Sequence, residues 1–278
     1  TAALHLALIV AGVRPGDDVV LPSLASIATA DVVRDVGATP VFADVDPITG
    51  NVTGGTVARA LTPATVAVVA VDQAGVPVDL RGIRGVTDPL GVIVVEDASG
   101  GAGSIHHGRP VGAEAEITAW SFHPLDILTT GEGGMLTTTH AAWAARAKRL
   151  REHGTRASPG ADEPVEAGWD VRMTDLQAAI GLVQLGRLPE IIYRRREIAD
   201  RYRSEIADVA GLRFVSDPDW GVGNAQSFWV EVGEEYPLDR DGLLIALAEA
   251  GISAGRGLLA IHRHPPYRTL APSHGMPG

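Results

Sequence analysis

The side chains that could act as amine or thiol nucleophiles are scarce in this sequence. Lys148 is the only lysine among the 23 basic residues, and the other 22 are arginines. A reaction that needs a lysine amine therefore has to use Lys148, whose arginine-rich surroundings are typical of a solvated helix face. The chain has no cysteine, which excludes disulfides, thiolate metal sites and cysteine nucleophiles. Because the absence of cysteine fits a reducing compartment, we expect a cytoplasmic protein.

The histidines and the glycine-rich segments give weaker signals. No spacing among His5, His106 and His107 is typical of a metal site, so we expect no bound metal. Gly100–Gly103 opens no predicted helix and is therefore not a dinucleotide-binding fingerprint. Gly131–Gly134 is either a tight turn that requires positive φ or part of an active site, and the sequence leaves both interpretations open.

The composition indicates the class of protein. The chain has 278 residues, of which 45% are hydrophobic and 21% charged, so it can bury a substantial core. Its net charge of −11 argues against a surface that binds nucleic acid or an anionic membrane. Apolar runs such as Val66–Val71 are far shorter than the ~18 residues of a membrane span. We expect a protein that acts on a small molecule.

Short apolar runs alternate with helical segments through the first part of the chain, and this pattern predicts βα units on a mostly parallel sheet. The predicted strands are 19–21, 39–44, 66–71, 91–95, 117–122, 131–138 (a loop leading into a strand), 212–215 and 227–232. The predicted helices are 1–12, 26–36, 56–61, 141–153, 174–185, 188–206 and 239–250, with a break near Gly186–Pro189 and a loop at 155–168. We therefore predict a large α/β domain at residues 1–190 and a smaller α+β lobe at 191–278.

Ten short sequence motifs occur in a fixed order along the chain: Thr1–Leu8, Pro15–Ser23, Gly37–Phe42, Asp44–Pro47, Val94–Ala98, Ser121–Pro124, Thr129–Gly134, Arg172–Ala179, Gly255–Gly257 and Ile261–Pro265. Together they resemble the motifs of the DegT/DnrJ/EryC1/StrS aminotransferases, which use pyridoxal phosphate (PLP) and have fold type I. The resemblance covers nearly the whole chain. Members of that family usually extend further at both ends, so we expect the chain, and its small lobe, to be truncated.

The resemblance implies roles for several residues that the chain retains. The segment beginning Thr1-Ala2 matches the start of a helix that holds the cofactor phosphate, as free N–H groups and a helix dipole can do. Asp97 matches the aspartate that pairs with the pyridine nitrogen. Ser121 matches a serine that helps to bind the phosphate.

The resemblance also implies four losses. Asp126 stands where the family has the Schiff-base lysine, and a carboxylate cannot form an imine. Ser26 replaces the aromatic residue that stacks on the cofactor ring, and Gly100 replaces a glutamine or histidine that contacts its phenol oxygen. Asp170 replaces an asparagine that reaches the phosphate from the neighbouring subunit, where its charge would be repulsive.

From these changes we expect an enzyme that binds no PLP, does not transaminate and has been repurposed for acid–base chemistry in specialised metabolism. Cyclisation, dehydration, isomerisation and hydrolysis all remain open. The expected catalytic residues are Asp126, His123, Asp97 and Asp170. The expected substrate pocket, or former cofactor pocket, contains Thr1, Ala2, Ser26, Gly100, Ser121, Glu132, Arg172 and His262.

Two alternatives stay open beside that expectation. One is a scaffold that pairs with an active paralogue, and the other is a residual sugar aminotransferase or dehydratase that uses PLP or its amine form, pyridoxamine phosphate (PMP). The resemblance further implies a homodimer with an active site shared between subunits, in which Arg172–Ala179 matches the interface phrase.

Overall fold

A six-stranded sheet forms the centre of the computed structural model, which describes residues 1–158 and 161–270, and the side chains of these except at 157, 158, 161 and 162. The helices are α1 (Ala2–Val10), α2 (Ile27–Asp35), α3 (Gly54–Ala60), α4 (Leu80–Thr87), α5 (Ala141–Arg151), α6 (Asp175–Ile206) and α7 (Arg240–Glu249). Short 3₁₀ turns occur at Gln73–Gly75, Asp88–Leu90, Ile261–Arg263 and Arg268–Leu270.

The strands fall into one large sheet and several short pairings. They are β1 (Asp18–Pro22), β2 (Leu24–Ala25), β3 (Thr39–Ala43), β4 (Thr65–Val71), β5 (Ile93–Asp97), β6 (Ile105–His106), β7 (Arg109–Pro110), β8 (Ile117–Ser121), β9 (Gly134–Thr138), β10 (Thr155–Ser158), β11 (Ala161–Pro164), β12 (Leu212–Phe214), β13 (Gly221–Val222), β14 (Val230–Val232) and β15 (Leu259–Ala260). The large sheet has the order β3-β1-β4-β5-β8-β9. Only β9 runs antiparallel to its neighbour in that sheet, and the predicted mostly parallel α/β architecture is confirmed.

Apolar side chains cover both faces of the sheet, as a parallel sheet requires. On one face α1, α2 and α5 pack around fully buried residues such as Leu8, Leu21 and Leu150. On the other face α3 and α4 pack around Val57, Leu80 and other buried residues. None of the described helices is long and apolar enough to cross a bilayer.

The sequence does not predict helix α4, because Gly82 and Gly85 interrupt its helical pattern. Its start is held by Asp79, whose side chain accepts a hydrogen bond from the backbone N–H of Gly82 at 3.0 Å. A Cβ atom on Gly82 would lie only 2.3 Å from that carboxylate. Gly82 therefore lowers the helix propensity of α4, but because it has no Cβ atom it leaves room for the capping carboxylate of Asp79.

The predicted break at Gly186–Pro189 is wrong, since α6 continues through Pro189. A capping box of Thr174 and Gln177 starts the helix. Beyond the proline, Arg195 donates hydrogen bonds to the carbonyls of Ala225 and Gln226 at 2.9 and 2.6 Å. These contacts, together with buried Ile192, outweigh the cost of a proline inside a helix.

Two further features differ from the sequence predictions. The segment predicted as a loop at 155–168 contains the β10–β11 hairpin, in which Thr155 pairs with Pro164. The division of the chain near residue 190 stays a prediction, and α6 runs across that position.

Glu96 is a carboxylate buried in the middle of the sheet, on β5. It is 1% exposed and accepts a hydrogen bond from the Thr118 hydroxyl at 3.0 Å. Burial raises the pKa of Glu96 from 4.5 to about 7, because the uncharged form is favoured away from water.

We predict that Glu96→Gln reduces the pH dependence of stability. Because the folded-state pKa lies above the unfolded one, the folded chain holds an extra proton between pH 4.5 and about 7, and stability is lost as the pH rises through that range. The uncharged variant should lose roughly 1–3 kcal/mol less unfolding free energy between pH 5 and pH 8. Urea unfolding at both pH values measures this, with exposed Glu190→Gln as the control. An equal loss in Glu96→Gln and the unmodified chain would contradict the assignment.

Candidate active site

A cavity of about 610 Å³ opens at the carboxyl ends of β4, β5 and β8. Parallel strands bring these ends to one edge of the sheet, which is where open α/β sheets bind ligands. Eight residues predicted from the sequence line it: Thr1, Ser26, Asp97, Gly100, Ser121, His123, Asp126 and Glu132. The structure therefore brings together three of the four expected catalytic side chains.

Asp97 is the last residue of β5, so it lies at this edge of the sheet, and it is 9% exposed. One of its carboxylate oxygens accepts hydrogen bonds from the backbone N–H of Ser99 at 3.2 Å and from the Ser99 hydroxyl. Burial raises the pKa of Asp97, and the hydrogen bonds from Ser99 and the Thr29 hydroxyl oppose that rise. The carboxylate is thus fixed in orientation and would gain from a cationic hydrogen-bond donor in the cavity.

Asp126 lies in the turn that follows β8. Its Oδ2 atom accepts a hydrogen bond from the backbone N–H of His123 at 3.2 Å, and its own N–H donates to the His123 carbonyl at 2.9 Å. Partial burial raises the pKa of Asp126, against the effect of a hydrogen bond from Ser121. Asp97 adds to the rise by charge repulsion. A carboxyl group in this setting can exchange a proton with a ligand.

The N-terminus of α1 faces the same cavity, which Thr1, Ala3 and Leu4 line. The Thr1 side chain makes no capping hydrogen bond to this helix, and the first backbone N–H groups of a helix have no partner within it, so among the described residues they can serve a ligand. Together with Ser121 across the cavity, they form a set of donors suited to a phosphate group.

No lysine lines the cavity. Lys148, the single lysine of the sequence, lies exposed on α5. An amine in this cavity would have to come from a ligand, from a partner chain or from sequence outside these 278 residues.

Four predicted site residues are not part of the cavity lining. Ala2 begins α1 beside Thr1, and the other three lie apart from the cavity. Asp170 and Arg172 form an exposed ion pair with nitrogen–oxygen distances of 2.9 and 3.1 Å, and Arg172 holds the pKa of Asp170 below its usual value. His262 packs into the loop after β15, where its Nδ1 atom contacts the Ser23 hydroxyl. Within one chain, Asp170, the fourth expected catalytic residue, therefore does not join the other three.

The sequence interpretation missed several residues that line the cavity. Asp72 and Gln73 follow β4, Trp229 precedes β14, and Arg256 lies in the loop before β15. The position of Asp72 directly after a β-branched strand was a usable signal. Trp229 and Arg256 reach the cavity only through the packing of the chain that follows α6, which no local sequence pattern predicts.

Asn224, just after β13, joins the segment that follows α6 to the cavity. It is fully buried, and its Nδ2 atom donates hydrogen bonds to the carbonyls of Gly100 at 2.7 Å and Ala102 at 2.9 Å. Its Oδ1 atom accepts from the backbone N–H of Gln226 at 2.8 Å. Since Gly100 and Gln226 both line the cavity, Asn224 fixes two of its walls relative to each other.

Comparison with known proteins identifies the relatives of this chain. A sequence profile of the DegT/DnrJ/EryC1/StrS aminotransferase family matches residues 1–277. The chain is 38% identical to the dTDP-4-dehydro-2,3,6-trideoxy-D-glucose 4-aminotransferase of Saccharopolyspora spinosa, over 96% of this chain and 72% of that protein.

Solved structures agree with this relationship. The aminotransferase TlmJ from Streptoalloteichus hindustanus superposes with a TM-score of 0.91 at 36% identity, covering 99% of this chain and 74% of TlmJ. The PMP form of Spr1654 from Streptococcus pneumoniae also gives 0.91, at 27% identity, covering 97% of this chain and 73% of that one. The predicted fold, PLP fold type I, is confirmed.

Two expectations from the sequence are wrong in the light of these relatives. One was that the chain had left PLP chemistry for PLP-independent acid–base work, and the other was that it takes no cofactor. Its relatives are sugar aminotransferases, one of them 38% identical, and structures that resemble it include a PMP form. The physical reason lies in the cavity, because Asp97, the start of α1 and Ser121 remain in place although Ser26 and Gly100 offer no ring contact.

We predict that Asn224→Ala destabilises the protein by about 2–4 kcal/mol, because it leaves two part-buried carbonyls without their donor and removes the acceptor of the Gln226 N–H. Chemical denaturation measures the change. Exposed Asp208→Ala is the control, expected within about 0.5 kcal/mol of the unmodified chain. Equal midpoints for the two variants would show that Asn224 does not hold these walls of the cavity together.

Proposed function

Since this chain belongs to the DegT/DnrJ/EryC1/StrS aminotransferase family, we propose that it transfers an amino group to the keto carbon of a nucleotide-linked sugar, with PLP and PMP as cofactor. The observation that carries the proposal is the buried, oriented carboxylate of Asp97 in a cavity that also holds an uncapped helix start.

The residues of the cavity fit both ends of such a cofactor. Asp97 would accept a hydrogen bond from the protonated pyridine nitrogen, and the first N–H groups of α1 with Ser121 would hold the phosphate. When bound, the cofactor carries the amino group and withdraws electrons from the carbon that gains or loses a proton. Ser99 would keep the Asp97 carboxylate aimed at the ring.

The cofactor would be held without a covalent bond to this chain, because Lys148 lies exposed on α5 and no other lysine exists in the sequence. The match of Asp126 to the lysine position stays a prediction. In this account Asp126 moves the proton at its Oδ2 atom, since partial burial raises its pKa and the His123 N–H orients it. Glu132 lines the same cavity and adds a second carboxylate at its rim.

The relative that acts on a dTDP-linked 4-dehydro sugar supports this substrate class for the chain. Arg256 lines the cavity and pairs with Asp241 at 2.7 Å, close to the surface. Its guanidinium group offers a bidentate donor for the diphosphate of a nucleotide sugar, with exchange of Asp241 for the ligand.

Dehydration of such a sugar is the second candidate function. It needs the cofactor in its amine form and a proton-transferring group in the cavity, but no lysine. The absence of lysine from the cavity lining and the presence there of Asp126 and His123 favour it. Mass spectrometry of the product separates the two, because amino transfer exchanges oxygen for nitrogen and dehydration removes water.

We predict non-covalent cofactor binding that depends on Asp97. Titration of the complete protein with PMP, followed by absorbance, should give saturable binding, and Asp97→Asn should weaken it by ~10- to 100-fold, the worth of a charge-assisted hydrogen bond. With PLP, borohydride reduction should leave no cofactor attached to Lys148. Exposed Asp208→Asn is the control. Unchanged affinity in Asp97→Asn, or a reduced adduct on Lys148, would contradict this arrangement.

Turnover should depend on Asp126 more than binding does. In a single-turnover assay with PMP and a dTDP-linked 4-keto sugar, Asp126→Asn should slow product formation by ~10²-fold, the usual worth of a positioned acid or base, while the Kd for PMP stays nearly constant. Normal rates in the variant would exclude Asp126 as the proton-transferring group.

We further propose that the protein forms a homodimer through α6. Its side chains Leu176, Ile180 and Val183 follow helical spacing on one face and are 81, 50 and 64% exposed. An apolar stripe of this kind is costly in water unless a partner covers it. The exposed ion pair of Asp170 and Arg172 lies just before α6 and would approach the neighbouring cavity.

Replacing Leu176 and Val183 together with glutamate should convert the dimer to a monomer, because the charges would be buried at the interface. Sedimentation equilibrium measures the mass of each species. Val209→Glu, beyond the end of α6, is the matched control and should remain dimeric. A monomeric unmodified protein, or a dimeric double variant, would contradict this interface.

A further inference from the structure

Three side chains outside the cavity bring metal-ligating atoms together. Asp79, His106 and His107 place one oxygen and two ring nitrogens within 4.8 Å of one another. Asp79 stands at the start of α4, His106 ends β6, and His107 follows in the turn to β7. We expected no metal from the sequence, because the spacing of His5, His106 and His107 is not typical of a metal site. Asp79 lies 27 positions before His106, and only the fold makes them neighbours.

Glu114, the hydrogen-bond partner of His106, determines which ring nitrogen of the neutral histidine carries a hydrogen. Its Nδ1 atom lies 2.8 Å from Oε2 of Glu114, and because a carboxylate only accepts, Nδ1 must carry the hydrogen. In the neutral ring the Nε2 atom therefore presents a lone pair. This atom is buried, in a side chain that is 3% exposed, and it has no hydrogen-bond partner within the described part of the chain.

The surroundings of Nε2 contain a second ligand type. Oδ1 of Asp79 lies 3.8 Å away, too far for a hydrogen bond. Buried polar atoms are normally satisfied, so a bare Nε2 facing a carboxylate is an exception that requires an explanation. A cation between the two atoms supplies one, since both would then be ligands.

We propose that Asp79, His106 and His107 bind a divalent transition-metal ion of the zinc type. Two imidazoles and one carboxylate, with water in the fourth position, are a ligand set that Zn²⁺ accepts. Glu114 acts as the positioning residue, because a carboxylate on the far ring nitrogen fixes the tautomer and the orientation of a metal-binding histidine.

Binding requires a small adjustment. Ligand atoms of a tetrahedral zinc site lie about 3.4 Å apart, so separations of up to 4.8 Å must shorten. The exposed His107 ring, which packs edge-on against the His106 ring at 4.6 Å between centroids, would turn inward, while His106 and the helix-capping Asp79 stay fixed. The metal would tie the start of α4 to β6.

A metal bound at this site would stabilise one wall of the cavity and would take no part in the reaction. Asp79 ends the loop that begins at Asp72, and Oδ1 of Asp72 accepts the N–H of Val78 at 2.9 Å within it. The Ser104 hydroxyl, just before β6, donates to the Gly75 carbonyl of the same loop at 2.6 Å. A metal at Asp79 and His106 would add a second link between this loop and β6.

Titration of the tag-free, chelator-treated protein with Zn²⁺ against a competing chelator tests the proposal. We expect one saturable site per chain, and Co²⁺ in its place should give the absorption bands of a four- or five-coordinate ion. His107→Ala, at an exposed position that leaves the fold intact, should weaken binding by roughly 100-fold or more. Glu114→Gln should weaken it by ~10- to 100-fold, as loss of an outer partner does.

Two matched variants decide the outcome. Asp79→Asn keeps the oxygen that caps α4 but loses the charge, and should weaken Zn²⁺ binding; exposed His140→Ala should leave it unchanged. Binding that His107→Ala and Asp79→Asn do not weaken, or that His140→Ala weakens equally, is adventitious surface binding and overturns the proposal. So does the absence of a saturable site in the unmodified protein.

Discussion

Three carboxylates buried at or near the carboxyl ends of β4 and β5 constrain the rest of this structure. Asp72, Glu96 and Asp97 are each at most 9% exposed, and burial raises the pKa of all three. Glu96 and Asp97 raise the pKa of Asp72 further by charge repulsion, and carboxylates that repel one another in a protein interior cannot all be charged without a positive partner. Ser99 and Thr118 donate hydrogen bonds to Asp97 and Glu96, and the group opens to the cavity at Asp72 and Asp97.

That opening explains why the cavity suits a ligand with a cationic ring and an anionic tail. Asp97 gives the cavity a negative end, and the start of α1 gives it a positive one. The two ends come from distant parts of the chain, but the parallel sheet brings the ends of its strands and the helix that packs on them to one edge. The electrostatic pattern is therefore a consequence of topology, and it does not depend on Ser26 or Gly100, which offer no aromatic or amide side chain to a ring.

The sequence predicts the sheet well, because a buried parallel strand such as β4 is a run of β-branched residues. The family resemblance, which covers nearly the whole chain, supports the same prediction. It fails where tertiary contacts outweigh local propensity: α6 passes through Pro189, and α4 forms despite Gly82. The site was predicted in part, since Asp97, His123 and Asp126 share one cavity. The chemistry predicted for the site was wrong, because the positions that differ from the family motifs were given more weight than the retained Asp97 and the start of α1. The cluster around His106 was invisible, since Asp79 meets it only in the fold.

If Asp97 holds the cofactor ring in a cavity that contains no lysine, a crystal structure of the complete protein soaked with PMP should show this arrangement. We expect the ring nitrogen within hydrogen-bond distance of the Asp97 carboxylate, about 2.6–3.2 Å, with the phosphate at the start of α1 and no bond to any side-chain nitrogen. A ring bound elsewhere in the cavity, or a cofactor attached to Lys148, would contradict it.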